Sequence, residues 1–356
     1  MNPHDLRRVD FTLNDDQRTV SEAFGAFFDS ESPTSLVRAS EPLGFDAQLW
    51  RKAVELGATT MALPGRVGGD DAGILDVALV AEALGRTLAP IPLLEHVAAT
   101  RLLASTGDPS VAELIEAAAS GERILGLALR PLDGRSLVST AAVADDIVGF
   151  DGDAIVVSSA DAPRPLMINQ ASQPAAWVDP GAEEVRQVAS DDPDALFSRA
   201  QREWKVMTGA ALVGMTEGAL ALGVEFVKTR ETMGVLIGTL QGISFQLADV
   251  KIGLSGARNY VRRAAWLLDN EPEQEPHFAS GAFAYAAKIA TEGTTISAHV
   301  QGGLGFTVEA DASLYFLRAK GWSLAGGPIR EDVRAVGAAL LAARVARSNQ
   351  LSTAAV

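Results

Sequence analysis

Apolar positions recur at two different spacings along this chain, and the change of spacing divides it in three. From Phe11 to about Gly121 they follow the helical period. Val20, Phe24, Phe27 and Phe28 share one face, and Asn14 stands three residues before Gln17 as a capping box would have it. LWRKAVELGATTMALPGRVGGDDAG then runs from helix into a Gly/Pro loop, and ILDVALVAEALGRTL resumes a helix that stops before Ala89-Pro90-Ile91-Pro92. Between Ile124 and about Ser190 the period shortens to that of strands. ILGLALRP, SLVSTAAV, DDIVGF, DAIVVSS, PLMIN, AAWV and VRQVA are short runs bounded by Asp, Gly and Pro, with Asp151-Gly152 placed for a tight hairpin. From Asp194 onward the helical period returns. Trp204, Met207, Ala211, Met215, Leu222 and Phe226 line one face of a long helix, a second leads from Ile243 to Leu268, and NEPEQEP at Asn270 to Pro276 reads as an exposed loop between helices. The pattern predicts a mainly α protein with a small central antiparallel β domain: a helical domain over 1–121, the β domain over 122–193 and a C-terminal helical domain over 194–356.

One stretch breaks the local rule. HVQGGLGFTVEADASLYFLRAK, His299 to Lys320, sets three glycines within four positions between helical segments. Each would cost a helix interior roughly 1 kcal/mol relative to alanine. A helix break with a tight turn is one reading; bare main chain offered to a ligand is the other.

Composition sharpens this picture. Hydrophobic residues make up 47% of the 356 and aromatics only 6%, with alanine abundant, which favours close helix packing through small side chains. The chain has no cysteine, so disulfides and thiolate metal sites are excluded, and no metal is expected. A formal net charge of −15 repels a phosphate backbone, which argues against nucleic acid. Neither a signal peptide nor an unbroken run of 18 uncharged apolar residues is present, so no membrane partner and a cytoplasmic location are expected.

A helix–β–helix order with this glycine run resembles the acyl-CoA dehydrogenase family. That family carries Arg-x-x-Phe-Gly and a later Gln-x-x-Gly-Gly-x-Gly run; here RETMGVLIGTLQGISFQLADV supplies Arg230, Thr232, Gly234 and Gln241, and HVQGGLGFTVE supplies Gly302, Gly303 and Gly305. In the first part, Trp50, Leu56, Gly57, Pro64, Gly68 and Gly69 match a third segment, so the resemblance spans nearly the whole chain. It implies the three-domain acyl-CoA dehydrogenase fold with a C-terminal four-helix bundle, bound FAD, and α,β-dehydrogenation of an acyl-CoA with electrons passed to an electron-transfer flavoprotein. FAD brings a pyrophosphate that a guanidinium and backbone N–H groups recognise. The resemblance therefore assigns cofactor contact to Arg230, Thr232, Gln241, His299, Gly302 and Gly303, in this family across a subunit boundary. Arg230 could otherwise simply favour a helix C-terminus, and His299 could be structural. Arg258, Arg262 and Arg263 could reach a CoA phosphate or form a solvated basic face.

The resemblance fails where the chemistry is heaviest. α-Proton removal needs a carboxylate. Most members draw it from a Glu-Gly step near the C-terminus, where RAKGWSLAGGPIREDV places Gly326 or its neighbour and Glu331 comes too late. Others use the start of the long helix, a position that falls here on Trp204, one residue after Glu203. Glu203 is the candidate catalytic base, although a one-residue shift turns a helical side chain by about 100°. ALRPLDGRSLV around Arg130 to Val138 replaces the family's flavin and thioester loop, and Met233 stands at the usual Phe. Such asymmetric loss resembles the short actinobacterial subunits of heterotetrameric, α2β2, steroid-type acyl-CoA dehydrogenases. A homologous subunit, or else a homo-oligomer, is the expected partner and a bulky acyl-CoA the expected substrate. A non-catalytic partner subunit that completes the flavin site, and the same fold turned to a non-CoA substrate, are the alternatives.

Overall fold

The computed structural model describes residues 12–272 and 277–354, the side chains of 346–354 excepted. Six helices come first: α1 (Asp15–Glu31), α2 (Thr34–Ala39), α3 (Ala47–Glu55), α4 (Ile74–Thr87), α5 (Leu93–Thr106) and α6 (Ala112–Ala119). The capping box forms: Gln17 N donates to Asn14 Oδ1 at 2.8 Å, and Asn14 N donates to Gln17 Oε1 at 3.1 Å. Phe24 and Phe28 of the predicted face are buried, and α4 ends at Thr87 ahead of the Ala-Pro-Ile-Pro break.

Six strands follow: β1 (Leu125–Leu127), β2 (Ser136–Val138), β3 (Asp146–Phe150), β4 (Ile155–Ser159), β5 (Ala176–Val178) and β6 (Glu184–Val188). Four make a sheet in the order β1-β3-β4-β6, and β2 pairs with β5 apart from it. The β3–β4 turn is the predicted one: Asp151 Oδ1 accepts from Asp153 N and Ala154 N at 2.9 and 2.8 Å, and Gly152 takes φ +111°. The expectation of a wholly antiparallel domain needs one correction, because β1 runs parallel to β3. Its partner is reached through a long connection that carries β2, and only such a crossover can bring a strand back in the same direction. PLMIN contributes no strand; it makes a single bridge, Leu166 to Ala176.

The core of the molecule is α7 (Pro193–Thr229), against which α4, α5, α8 (Gln241–Asn270), α9 (His277–Val300) and α10 (Asp311–Trp322) all pack. Small residues allow this crowding. A methyl group on Gly214 would lie 1.8 Å from the Glu82 carbonyl oxygen, so α4 and α7 touch backbone to backbone there. Among the described residues α7 alone has the length and apolarity to cross a membrane, but 61% of its apolar window is buried inside the protein. Its hydrophobicity is accounted for by its central place.

The direction of α9 matters most for function. Gly209 lies by Phe283, Thr216 by Gly293, and Gly223 by Ser297, so α7 and α9 run side by side in parallel. α8 runs opposite, with Val250 by Gly293 and Tyr260 by Gly281. Beyond α7 a two-strand hairpin, β7 (Glu231–Thr232) and β8 (Val235–Leu236), turns the chain into α8, and α11 (Ile329–Ala354) closes the description. The predicted loop at Asn270 to Pro276 falls largely outside the described residues.

Candidate functional site

Because α7 and α9 are parallel, the segments that follow them emerge at the same end of the bundle. One is the Arg230 hairpin, closed by Ile237 N donating to the Arg230 carbonyl at 2.9 Å and pinned where Gly238 approaches the Val227 carbonyl. The other is the glycine run, a short 3-10 turn over Gly302–Phe306. Arg230, Thr232, Gln241, His299, Gly302 and Gly303 are all exposed there. The fold therefore collects two sequence-distant motifs on one surface.

The surface fits a pyrophosphate-bearing dinucleotide. Arg230 has no ion pair among the described residues, so its guanidinium is available to an external anion. Gly302, at φ +63°, and Gly303 present bare main chain with no atom within 4 Å of the point where a side chain would begin. Apolar side chains surround them: Met233 is 98% exposed, with Leu240, Leu304 and Phe306 also open to solvent. A patch of this kind marks an interaction surface.

The predicted base fares differently. Glu203 is buried, and both its carboxylate oxygens are taken: Arg101 Nε and Nη2 donate to Oε2 and Oε1 at 2.9 and 3.0 Å, and Arg199 Nε donates to Oε1 at 3.0 Å. Burial alone would raise its pKa, but the two guanidiniums outweigh burial and hold the carboxyl below its ordinary value. A carboxylate so stabilised is a poor proton acceptor. Glu203 thus sits as the centre of an ion triad joining α5 to α7, and its geometry does not support a catalytic role.

Trp204 occupies the neighbouring place. Its ring is fully buried, and a methyl group on Gly326 would lie 2.8 Å from its Cζ3. The two positions from which the resembled family draws its base therefore meet in space, one holding an indole and the other no side chain at all. Glu331 points elsewhere, pairing with Arg130 at 3.4 Å.

Beside this point opens a cleft of about 650 Å³ between the β region and α10, walled by Leu127 to Ser139 and Leu317 to Gly327. Arg130, Arg135 and Lys320 make it cationic, and the Arg135 guanidinium lies 4.8 Å from the centroid of the Trp177 ring. The pattern did not single out Arg135, Trp177 or Lys320; their only signals were membership of the altered loop, of the AAWV run that forms β5 and of α10, which the fold brings together. The three helical arginines do not form a solvated face; each is engaged within the protein. Arg258 donates to Glu82 and Glu217 at 2.7 and 3.1 Å, Arg262 lies 3.9 Å from Glu82, and Arg263 stacks 4.5 Å from the Phe278 centroid.

Comparison with known proteins finds relatives of the same fold. Residues 14–122 match the acyl-CoA dehydrogenase N-terminal domain and residues 202–341 the acyl-CoA dehydrogenase C-terminal domain. The chain is 28% identical over 327 residues to the acyl-CoA dehydrogenase IpdE2 of Mycolicibacterium smegmatis, covering 90% of this chain and 98% of that one. It superposes on a chain of the ChsE4-ChsE5 complex from Mycobacterium tuberculosis with a TM-score of 0.81 and 26% identity, covering 93% and 99%. It shares its fold, at a TM-score of 0.84 and 23% identity, with a chain of the Tcur3481-Tcur3483 steroid ACAD, covering 94% and 100%.

Proposed function

Because this chain belongs to the acyl-CoA dehydrogenase family, with both its terminal regions matched, we propose that it serves as the subunit lacking a base in a heteromeric enzyme that desaturates a bulky, steroid-type acyl-CoA. FAD, when bound, accepts the hydride from the β-carbon. This chain's part is to hold the cofactor of a homologous partner. Arg230 meets the pyrophosphate, Thr232 and Gln241 hydrogen-bond beside it, and the main chain at Gly302 and Gly303 lies against it, with His299 at the rim. The α-proton goes to a carboxylate of the partner. Electrons leave to an electron-transfer flavoprotein.

The observation that carries this reading is the contact of Trp204 with Gly326, which leaves no carboxylate at either place the family uses. Bulky substrate and α2β2 assembly follow the resemblance to short steroid-type subunits, and a protein of the same fold in a two-component complex supports it. The test compares flavin absorbance of the chain expressed alone with that of the chain co-expressed with a longer homologous subunit, each with and without Arg230→Ala. Flavin and turnover in the solitary chain would overturn the proposal.

A further inference from the structure

The glycine run on the cofactor surface has little stiffness of its own. Gly302, Gly303 and Gly305 fall within a 3-10 turn that ends at Phe306, and glycine loses more backbone freedom on ordering than any other residue. Two contacts seat the turn on its neighbours. A methyl group on Gly305 would lie 2.2 Å from the Ala298 carbonyl oxygen, so the turn rests on the last part of α9. The Phe306 ring meets Phe316 of α10 edge-on, with 5.5 Å between centroids. Where the turn is held therefore depends on where α10 begins.

That beginning is gripped by a side chain from the far end of the sequence. Arg38, on α2, donates from Nη1 to the Val308 carbonyl, and from Nη2 to the Glu309 carbonyl at 3.1 Å and to Asp311 Oδ1 at 2.9 Å. Thr34, one turn earlier on α2, gives its hydroxyl to the other carboxylate oxygen, Asp311 Oδ2, at 3.0 Å. α10 has no side-chain cap of its own at Ala310, and the Asp311 carboxylate in its first turn is fixed from outside. One planar guanidinium thus holds three acceptors of the segment that follows the glycines, which a compact ammonium on a flexible stem cannot match. These bonds are charge-assisted, and the Arg38 and Asp311 side chains are only 30% and 35% exposed, so water competes for them incompletely. A surface already held in its binding conformation gives up less freedom when a ligand arrives than one that must first be ordered.

We propose that Arg38 is a positioning residue for the cofactor surface: by fixing Val308, Glu309 and Asp311 it presets the turn at Gly302 and Gly303, so that the dinucleotide meets main chain already in place. It acts through the turn and makes no contact with the ligand. The effect on the dinucleotide rests on the cofactor reading above; the ordering of the turn by Arg38 does not.

The test has two readouts. In the chain alone, hydrogen exchange of the Thr307, Ala310 and Ser313 amides, bonded to the Leu304, Thr307 and Ala310 carbonyls at 3.0, 3.3 and 3.1 Å, reports how firmly the segment is held. In the assembly with a longer homologous subunit, titration with FAD gives the affinity. Arg38→Ala is expected to speed the exchange about tenfold and to weaken FAD about tenfold. Arg38→Lys recovers part of both, because an ammonium reaches fewer of the acceptors. Ile155→Val, a destabilising change in fully buried β4 sequence, alters neither. The parent's affinity in Arg38→Ala overturns the proposal, as does unchanged exchange at the three amides or an equal loss of FAD in Ile155→Val. Should Arg38→Ala not fold, Asp311→Asn, which removes the charged acceptor of the same grip, is expected to weaken FAD about threefold, and an unchanged affinity there is equally contradictory. FAD weakened by Arg230→Ala but not by Arg38→Ala overturns this inference alone; an affinity untouched by either overturns the cofactor reading with it.

Discussion

The Trp204 indole packs against Gly326, so close that a β-carbon on that glycine would come within 2.8 Å of Cζ3. One residue belongs to the first third of α7 and the other to the turn between α10 and α11. Their contact places the two alternative sources of a catalytic carboxylate at one point. It also explains why that point is silent here: the ring needs the room that a side chain at 326 would take.

Gly326→Ala should therefore destabilise the chain by about 1–3 kcal/mol through overpacking against a ring that cannot yield. In a Trp204→Leu background the same change should cost at least about 1 kcal/mol less, since the two sites share the clash. Urea unfolding of the four variants measures this coupling, and strictly additive effects would contradict the contact.

Glu203→Gln separates support from catalysis. Removing one charge of a buried triad leaves Arg101 without its partner, and stability should drop by about 3–5 kcal/mol. Turnover of the folded assembly should stay within about tenfold of the parent, because the residue moves no proton. A loss of 10² or more, the usual contribution of a general base, in an assembly that remains folded would restore Glu203 to the chemistry.

His96 gives the fold a pH limit. It is enclosed, accepts from Leu125 N at Nδ1 over 3.1 Å and donates from Nε2 to the Ala118 carbonyl over 3.1 Å, and burial pushes its pKa down to about 4. The unfolded chain titrates near 6.5. Between these values the unfolded state holds a proton that the native state refuses, so stability falls as pH falls, by about 3 kcal/mol from 6.5 to 4 for this group. The pH dependence of unfolding free energy in His96→Gln should be flatter by that amount across the same window; matching slopes would rule the histidine out as its source.

The architecture was legible in the sequence because periodicity and turn chemistry are local. Asn14 with Gln17, and Asp151 with Gly152, announce their structures within four residues. The parallel β1–β3 pair was not, since strand direction depends on how a long connection folds back. Arg230 and Gly302 could be marked from their motifs, but only the parallel course of α7 and α9 shows that they share a surface. Glu203 illustrates the opposite case: its residue type suits a base, yet its role is set by Arg101 on another helix, which no local pattern reveals.

The most direct measurement of the central claim is flavin occupancy in the co-assembled enzyme carrying Arg230→Ala in this chain alone. Losing a charge-assisted contact of about 1.5–3 kcal/mol should weaken flavin affinity at least tenfold while the assembly stays intact by size-exclusion chromatography. An intact complex that retains the parent's full flavin absorbance and affinity would contradict the account.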